Sequence, residues 1–352
     1  MEPYSYSGPS ARPATQAETC FAAIAPILGF HTLKKTSREV SSPSMTDTKP
    51  RIIVIGGPTA SGKTTVGIEL AETRGGQIVS ADSVQIYRYM DVGSAKPTRE
   101  ERSRATHHMI DIRDPDEDFS AGDYVREARK CISEILQEGG LPLVVGGTGL
   151  YIRSLIGGIA KLPPAHPGLR RELRGQEEKE GKGTLFKRLS ELDPGSAGRT
   201  PSENIARVIR ALEVIQLTGK KLSEIQEGHC FQDRPYDVLF VCLSPNRQLL
   251  YERIDKRVDS MIRGGLLEEV LRLYGRGYSR ELKSMQSLGY RHAGMVLAGQ
   301  IDLVGATRLM KRDTRHYAKR QLTWFRSEPG VLWCDPDDIK GIGLKVSNFL
   351  GD

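Results

Sequence analysis

Cysteine is scarce and scattered in this 352-residue chain. Cys20, Cys131, Cys230, Cys242 and Cys334 form no CxxC pair, which excludes a disulfide framework and a zinc site of that spacing and fits a reducing cytoplasm. No apolar run reaches the roughly 20 residues that a membrane-spanning helix needs. A membrane partner is therefore not expected. Acidic charge is in deficit: 44 Asp and Glu face 51 Lys and Arg, and the net charge of +7 admits a polyanionic partner such as nucleic acid without requiring one.

Residues 1–50 offer little that could be buried. They are rich in Ser, Pro, Thr and Ala, with one short apolar patch at 20–30, so a disordered extension is expected. Glu2, Glu18 and Glu39 weigh against a transit peptide, and the patch lies far from a basic n-region. A simpler reading is that Met45, a few residues before the first strand, is the working start and that an upstream extension of the frame precedes it.

What the chain does contain is Gly57-Pro-Thr-Ala-Ser-Gly-Lys-Thr64, between an apolar run at 52–55 and a helical pattern at 65–70. Strand, glycine loop and helix in that order make a phosphate cradle. Two glycines five apart let successive N–H groups point inward, Lys63 adds a cation, and the Thr64 hydroxyl can ligate Mg2+. Strands and helices then alternate, which predicts an α/β chain: a P-loop three-layer fold with a central parallel sheet. A second strand at 78–79 runs into Ser80-Ala-Asp-Ser-Val-Gln85. Ligands bind beyond the carboxyl ends of parallel strands, so Asp82 is aimed at the phosphate loop, although a turn-forming or capping role is the plainer alternative. Lys96 reads as an added cation or a solvated one. His107 and His108, adjacent on a strand, point to opposite faces and read as structural.

A further absence is informative. The strand at 143–145 passes directly into Gly146-Gly-Thr-Gly-Leu-Tyr151, without the strand-end aspartate with which an NTPase helps to hold magnesium. That lowers the case for a switch GTPase or motor ATPase. It leaves Asp82 and Thr64 as the magnesium-side groups and Thr148 as a contact for an acceptor. After Leu162-Pro-Pro-Ala-His-Pro167 a charged helical segment, 161–204, reads as an insertion, with the α/β core at 51–160 and 205–352. Arg207 and Arg210 share a helix face opposite Ile205, Val208, Ile209 and Leu212. Arg253 and Arg257, one turn apart after the strand at 238–243, suit an anion clamp. Near the end, Arg308, Arg312, Arg315 and Lys319 line one side of a helix whose Met310, Tyr317, Trp324 and Phe325 can face the core, a surface able to grip an RNA backbone or simply a solvated one.

These motifs, with Ala81-Asp-Ser-Val-Gln-Ile-Tyr87, Met90-Asp-Val-Gly-Ser-Ala-Lys-Pro97, Ile209-Arg-Ala-Leu-Glu213, Gln286-Ser-Leu-Gly-Tyr290 and Tyr317-Ala-Lys-Arg-Gln-Leu-Thr-Trp-Phe-Arg326, resemble the ordered set of the tRNA dimethylallyltransferases over residues 51–335. Without a C-terminal zinc finger, the chain is similar to the bacterial form. Ser202-Glu-Asn204 stands where Pro-Asn-Asp is more usual, and Leu288 replaces a common isoleucine. The resemblance implies that Gly57, Thr59, Ala60, Ser61, Gly62, Lys63 and Thr64 grip dimethylallyl diphosphate rather than ATP. It implies transfer of the dimethylallyl group to N6 of adenosine 37 beside the anticodon, with Asp82 as base and Thr64 and Arg257 at the leaving diphosphate. It also implies tRNA contacts from Asp82, Ser83, Val84, Gln85, Thr148, Arg170, Ala206, Arg207, Val208, Ile209 and Arg210, to which the basic helix would add Arg315 and Lys319. A cytoplasmic monomer is expected. Two rivals remain: an adenylate isopentenyltransferase acting on free AMP, ADP or ATP, and a P-loop RNA-binding NTPase.

Overall fold

The computed structural model describes residues 49–229 and 231–352, so the reading of residues 1–48 lies outside the described residues. Among these, six strands form one sheet: β1 (Arg51–Gly56), β2 (Gly76–Ala81), β3 (His107–His108), β4 (Leu141–Gly146), β5 (Asp237–Leu243) and β6 (Leu332–Cys334). Every pairing is parallel and the order is β3-β2-β4-β1-β5-β6. β1 lies at the centre, Ile55 opposite Val145 on one side and Val241 on the other. The phosphate loop therefore leaves the middle of the sheet at its carboxyl edge, where parallel sheets place their ligands.

The helices are α1 (Lys63–Arg74), α2 (Arg99–Arg104), α3 (Ala121–Gln137), α4 (Gly149–Gly157), α5 (Pro167–Glu180), α6 (Thr184–Leu192), α7 (Pro194–Gly198), α8 (Ile205–Thr218), α9 (Leu222–His229), α10 (Arg247–Arg263), α11 (Leu266–Gly275), α12 (Tyr290–Leu297), α13 (Leu303–Arg326) and α14 (Ile339–Leu350). Alternation along the strands sends side chains to both faces, and both are covered. Ile52, Val54, Val144 and Phe240 pack with α3, α4 and the α10–α13 helices, whereas Ile53, Ile55, Leu143 and Val241 pack with α1 and α14. Each fully buried side chain of β1 contributes on the order of 1.5–3 kcal/mol relative to an exposed one. This is the expected three-layer α/β arrangement. The sequence reading had no strand at β6, whose residues are only three and half exposed.

A third apolar cluster joins Leu173 of α5, Leu185 and Leu189 of α6, Val208 and Leu212 of α8 and Leu222 of α9. The helical segment thus shares its buried face with α8 and α9, which follow it in the chain. Its polar centre is Glu213, whose side chain is fully buried. It accepts hydrogen bonds from Arg170 (2.8 and 2.9 Å), Arg210 (2.5 Å) and the His166 N–H (2.7 Å). Burial alone would raise its pKa, but the bonds from Arg170, His166 and Arg210 together hold it at about 2.

Candidate active site

Five groups that the sequence spaces far apart meet in one cavity of about 940 Å3 at the carboxyl edge of the sheet: the phosphate loop, the segment after β2, the Gly146-Gly147 turn after β4, one face of α10 and one face of α13. The loop takes its shape from backbone that side chains rarely adopt, with φ of 142° at Gly57, 63° at Ala60 and 94° at Gly62. A side-chain carbon on Gly57 would also stand 2.8 Å from the Leu243 carbonyl, so that glycine is required twice over. Thr59, Ala60, Ser61, Gly62, Lys63 and Thr64 all line the cavity; Gly57 shapes the loop from behind. Ser61 is fully buried and its hydroxyl has no partner.

Lys63 donates to the Pro58 carbonyl at 2.6 Å. Burial, and next the nearby Arg257 charge, lower its pKa to about 8 against the opposing pull of Asp82 and Cys242. Burial likewise depresses Arg257, with Asp82 opposing, and Arg257 donates to the Ser94 carbonyl at 3.4 Å. Asp82 stands just beyond β2. Its Oδ1 accepts from Val84 N at 2.8 Å and Gln85 N at 3.3 Å, so the turn-forming role and a place in the cavity coexist in one side chain. The same carboxylate acts electrostatically on Lys63, Arg257 and Tyr317. Burial first, and Asp82 next, push the Tyr317 phenol well above its ordinary range.

The segment after β2 is held from outside the cavity. Glu269 of α11, almost wholly buried, accepts from the N–H groups of Asp91, Val92 and Gly93 at 2.8–3.1 Å, and the Tyr290 hydroxyl donates to it at 2.7 Å. Lys96 is neither a solvated cation nor a cavity one. Its buried ammonium donates to the Tyr87 carbonyl, Asp91 and Asp111 and ties the segment after β2 to the chain that follows β3. Gln85 faces the cavity but spends its amide on the Ser94 and Ala95 carbonyls. Thr148 does not line the cavity, and its hydroxyl accepts from Ser83 N at 3.1 Å, so it shapes the turn that carries Asp82 and Ser83. Of the two histidines, His108 meets Gln77 at 2.7 Å, while His107 lines the cavity with Nε2 buried and unpartnered.

The remaining expected contacts are dispersed. Val208 and Ile209, expected among the residues that touch tRNA, have their side chains buried inside the helical cluster. Ala206 and Arg207 are exposed on the same helix, whereas Arg170 and Arg210 are taken up by Glu213. On α13, Arg315 is engaged by Asp255 and Lys319 is exposed, both outside the cavity; the face that enters it carries Met310, Thr314, Tyr317, Arg320 and Gln321. The helical spacing of these residues signals that face, but the sequence reading followed the run of cations beside it. Also missed was Gln321, which accepts from Thr59 N at 2.8 Å and donates to the Gly147 carbonyl at 2.9 Å, bracing the phosphate loop against the turn after β4.

A family model described as IPP transferase matches residues 85–328. The chain is 47% identical over 304 residues to the tRNA dimethylallyltransferase of Geobacter sulfurreducens, covering 86% of this chain and 98% of that one, and 46% identical to that of Desulfosudis oleivorans with 86% and 97% covered. Among solved structures it is similar to the tRNA isopentenylpyrophosphate transferase of Bacillus halodurans, with a TM-score of 0.65, 39% identity and coverage of 86% and 97%. It is also similar to a eukaryotic dimethylallyltransferase acting on tRNA, with a TM-score of 0.72, 28% identity and coverage of 83% and 75%. A phosphate loop without a strand-end acid, facing an aspartate and a partly buried arginine, is thus carried on a chain whose sequence matches one group of enzymes over most of its length: the chain belongs to the IPP transferase family.

Proposed function

We propose that this protein transfers the dimethylallyl group of dimethylallyl diphosphate to N6 of adenosine 37 in tRNA, releasing diphosphate. The observation that carries the reading is the cavity that joins the phosphate loop, Asp82 and Arg257 with no second acid at the end of β4. The names of the relatives support the same chemistry. N6 attacks C1 of the allyl group, the C1–O bond breaks, and the proton of N6 passes to Asp82. The charge that develops on the departing diphosphate is met by the loop N–H groups, Lys63 and Arg257. Adenosine 37 must leave its stack to reach the cavity, at a cost of order a few kcal/mol that phosphate contacts elsewhere on the tRNA offset. Exposed Arg207 and Lys319 are suited to such contacts.

Mg2+ belongs to this reading. Among the described residues no three His, Cys, Asp or Glu side chains are gathered as a cage. The cavity does offer the Thr64 hydroxyl at the start of α1, a hard oxygen donor that fits an ion bound mainly through diphosphate oxygens. When bound there, the ion would neutralise charge on the diphosphate. Among the described residues no helix is long and apolar enough to cross a membrane. The test is to incubate the purified protein and magnesium with labelled dimethylallyl diphosphate and either an adenosine-37 anticodon stem-loop or AMP. Label in the stem-loop is expected. Label in AMP alone, or ATP turnover without prenyl transfer, would refute the reading.

A further inference from the structure

Arg253 precedes Arg257 by four residues on α10, so the two guanidinium groups leave the same side of the helix, and both line the cavity. Arg253 stands against the phosphate loop itself. A side-chain carbon built on Gly62 would lie 3.9 Å from Arg253 Nη1 and 3.4 Å from Pro336. The segment leaving β6 therefore passes over the mouth of the loop, and its Pro336, Asp337 and Ile339 are part of the cavity wall. From it Asp337 reaches back to Arg253 Nη2 at 3.2 and 3.5 Å. The pair is unequal: the Arg253 side chain is 30% exposed and that of Asp337 is 68% exposed.

Resting on the diphosphate reading above, we propose that Arg253 is a second cation for the diphosphate, and that Asp337 is the counter-ion the diphosphate displaces from it. A solvent-exposed single ion pair is weak, and a diphosphate carries several charges with oxygens that match a guanidinium fork. With the ligand in the loop, Arg253 exchanges one carboxylate for phosphate oxygens. On release, Asp337 takes the guanidinium back. Asp337 thereby weakens binding of the product and of the donor by a similar factor.

The experiment is calorimetric titration of the full chain with inorganic pyrophosphate and magnesium, with the donor KM and kcat measured alongside. Arg253→Gln is expected to weaken pyrophosphate about tenfold, the loss of one charge-assisted bond. Asp337→Asn is expected to tighten it about threefold, the release of an exposed pair. The donor KM should follow the same two directions. Opposed shifts support the assignment. Unchanged binding in Arg253→Gln, or unchanged or weakened binding in Asp337→Asn, overturns it; weakening in both would mark the pair as a strut for the segment after β6. Should Arg253→Gln fail to fold, Asp337→Asn alone decides. Because pyrophosphate binding needs no prenyl transfer, a wild type that binds it yet transfers nothing refutes the function and leaves the Arg253 assignment standing. A wild type that does not bind pyrophosphate overturns both.

Discussion

Raising the pH should remove the charge of Lys63 before it touches that of any arginine, and the diphosphate site should feel it. Burial and Arg257 set the Lys63 pKa at about 8, against an ordinary value near 10.5. An anion in the loop favours the charged ammonium, so the binding-competent form is the protonated one. At pH 7 about nine-tenths of the free protein holds that proton, and at pH 9 about one-tenth does; apparent affinity scales with this fraction and falls about tenfold, about 1.4 kcal/mol. Calorimetry with inorganic pyrophosphate and magnesium at pH 7, 8 and 9 measures the fall. Pyrophosphate itself titrates over this range, so the comparison is with Lys63→Arg, whose guanidinium stays charged throughout. The wild-type affinity should drop about tenfold more than that of the variant over these two units. Near pH 8, titration in two buffers of different ionisation enthalpy should reveal uptake of about half a proton more in the wild type than in the variant. Equal pH profiles for the two proteins would show that the Lys63 proton is not linked to binding and would refute the argument.

Asp82→Asn keeps an oxygen that can accept from Val84 N and Gln85 N, so the turn should survive while the base is lost. Prenyl transfer should fall by on the order of 10²–10⁴ with anticodon stem-loop affinity nearly unchanged; a parallel loss of binding would make Asp82 a recognition residue. Glu213→Gln leaves Arg170 and Arg210 without their shared carboxylate, and should cost about 3 kcal/mol at pH 7, read as a lower Tm. The folded pKa of about 2 lies below the ordinary 4.5, so this stabilisation is complete above pH 4.5 and is lost as the pH falls towards 2. The Tm gap should close over that window, and a constant gap would exclude the charge as its cause.

Much of the core was legible because local signals and burial agree. The apolar runs of β1, β4 and β5 can only be buried on both faces, and the glycines of the phosphate loop fix where the chain must turn. Cations were harder to place. Arg315, Lys96 and Arg170 are basic residues as Arg257 is, yet Asp255, Asp91 with Asp111, and Glu213 respectively hold them elsewhere. Which charge is taken by a partner depends on contacts across more than 40 residues for Arg170 and 60 for Arg315. Gln321 carries no charge and belongs to no pattern of its own; only the fold reveals that it sits between two loops. The helical segment likewise shares apolar burial with α8 and α9, which a count of charges does not record.

Gln321 also constrains which neighbours of this sequence are reachable. A side-chain carbon at Gly147 would stand 2.4 Å from Gln321 Nε2, and one at Gly146 would stand 2.2 Å from the Ala81 carbonyl. Position 146 is closed by backbone and admits glycine alone. Position 147 is closed only by the amide that braces Thr59, so positions 147 and 321 can change together but hardly one at a time: a side chain at 147 requires a shorter one at 321, and the shorter one leaves the Thr59 N–H unpaired. A library that varies α13 to reshape the cavity wall around Tyr317 should therefore hold Gln321 constant, or vary it jointly with residue 147.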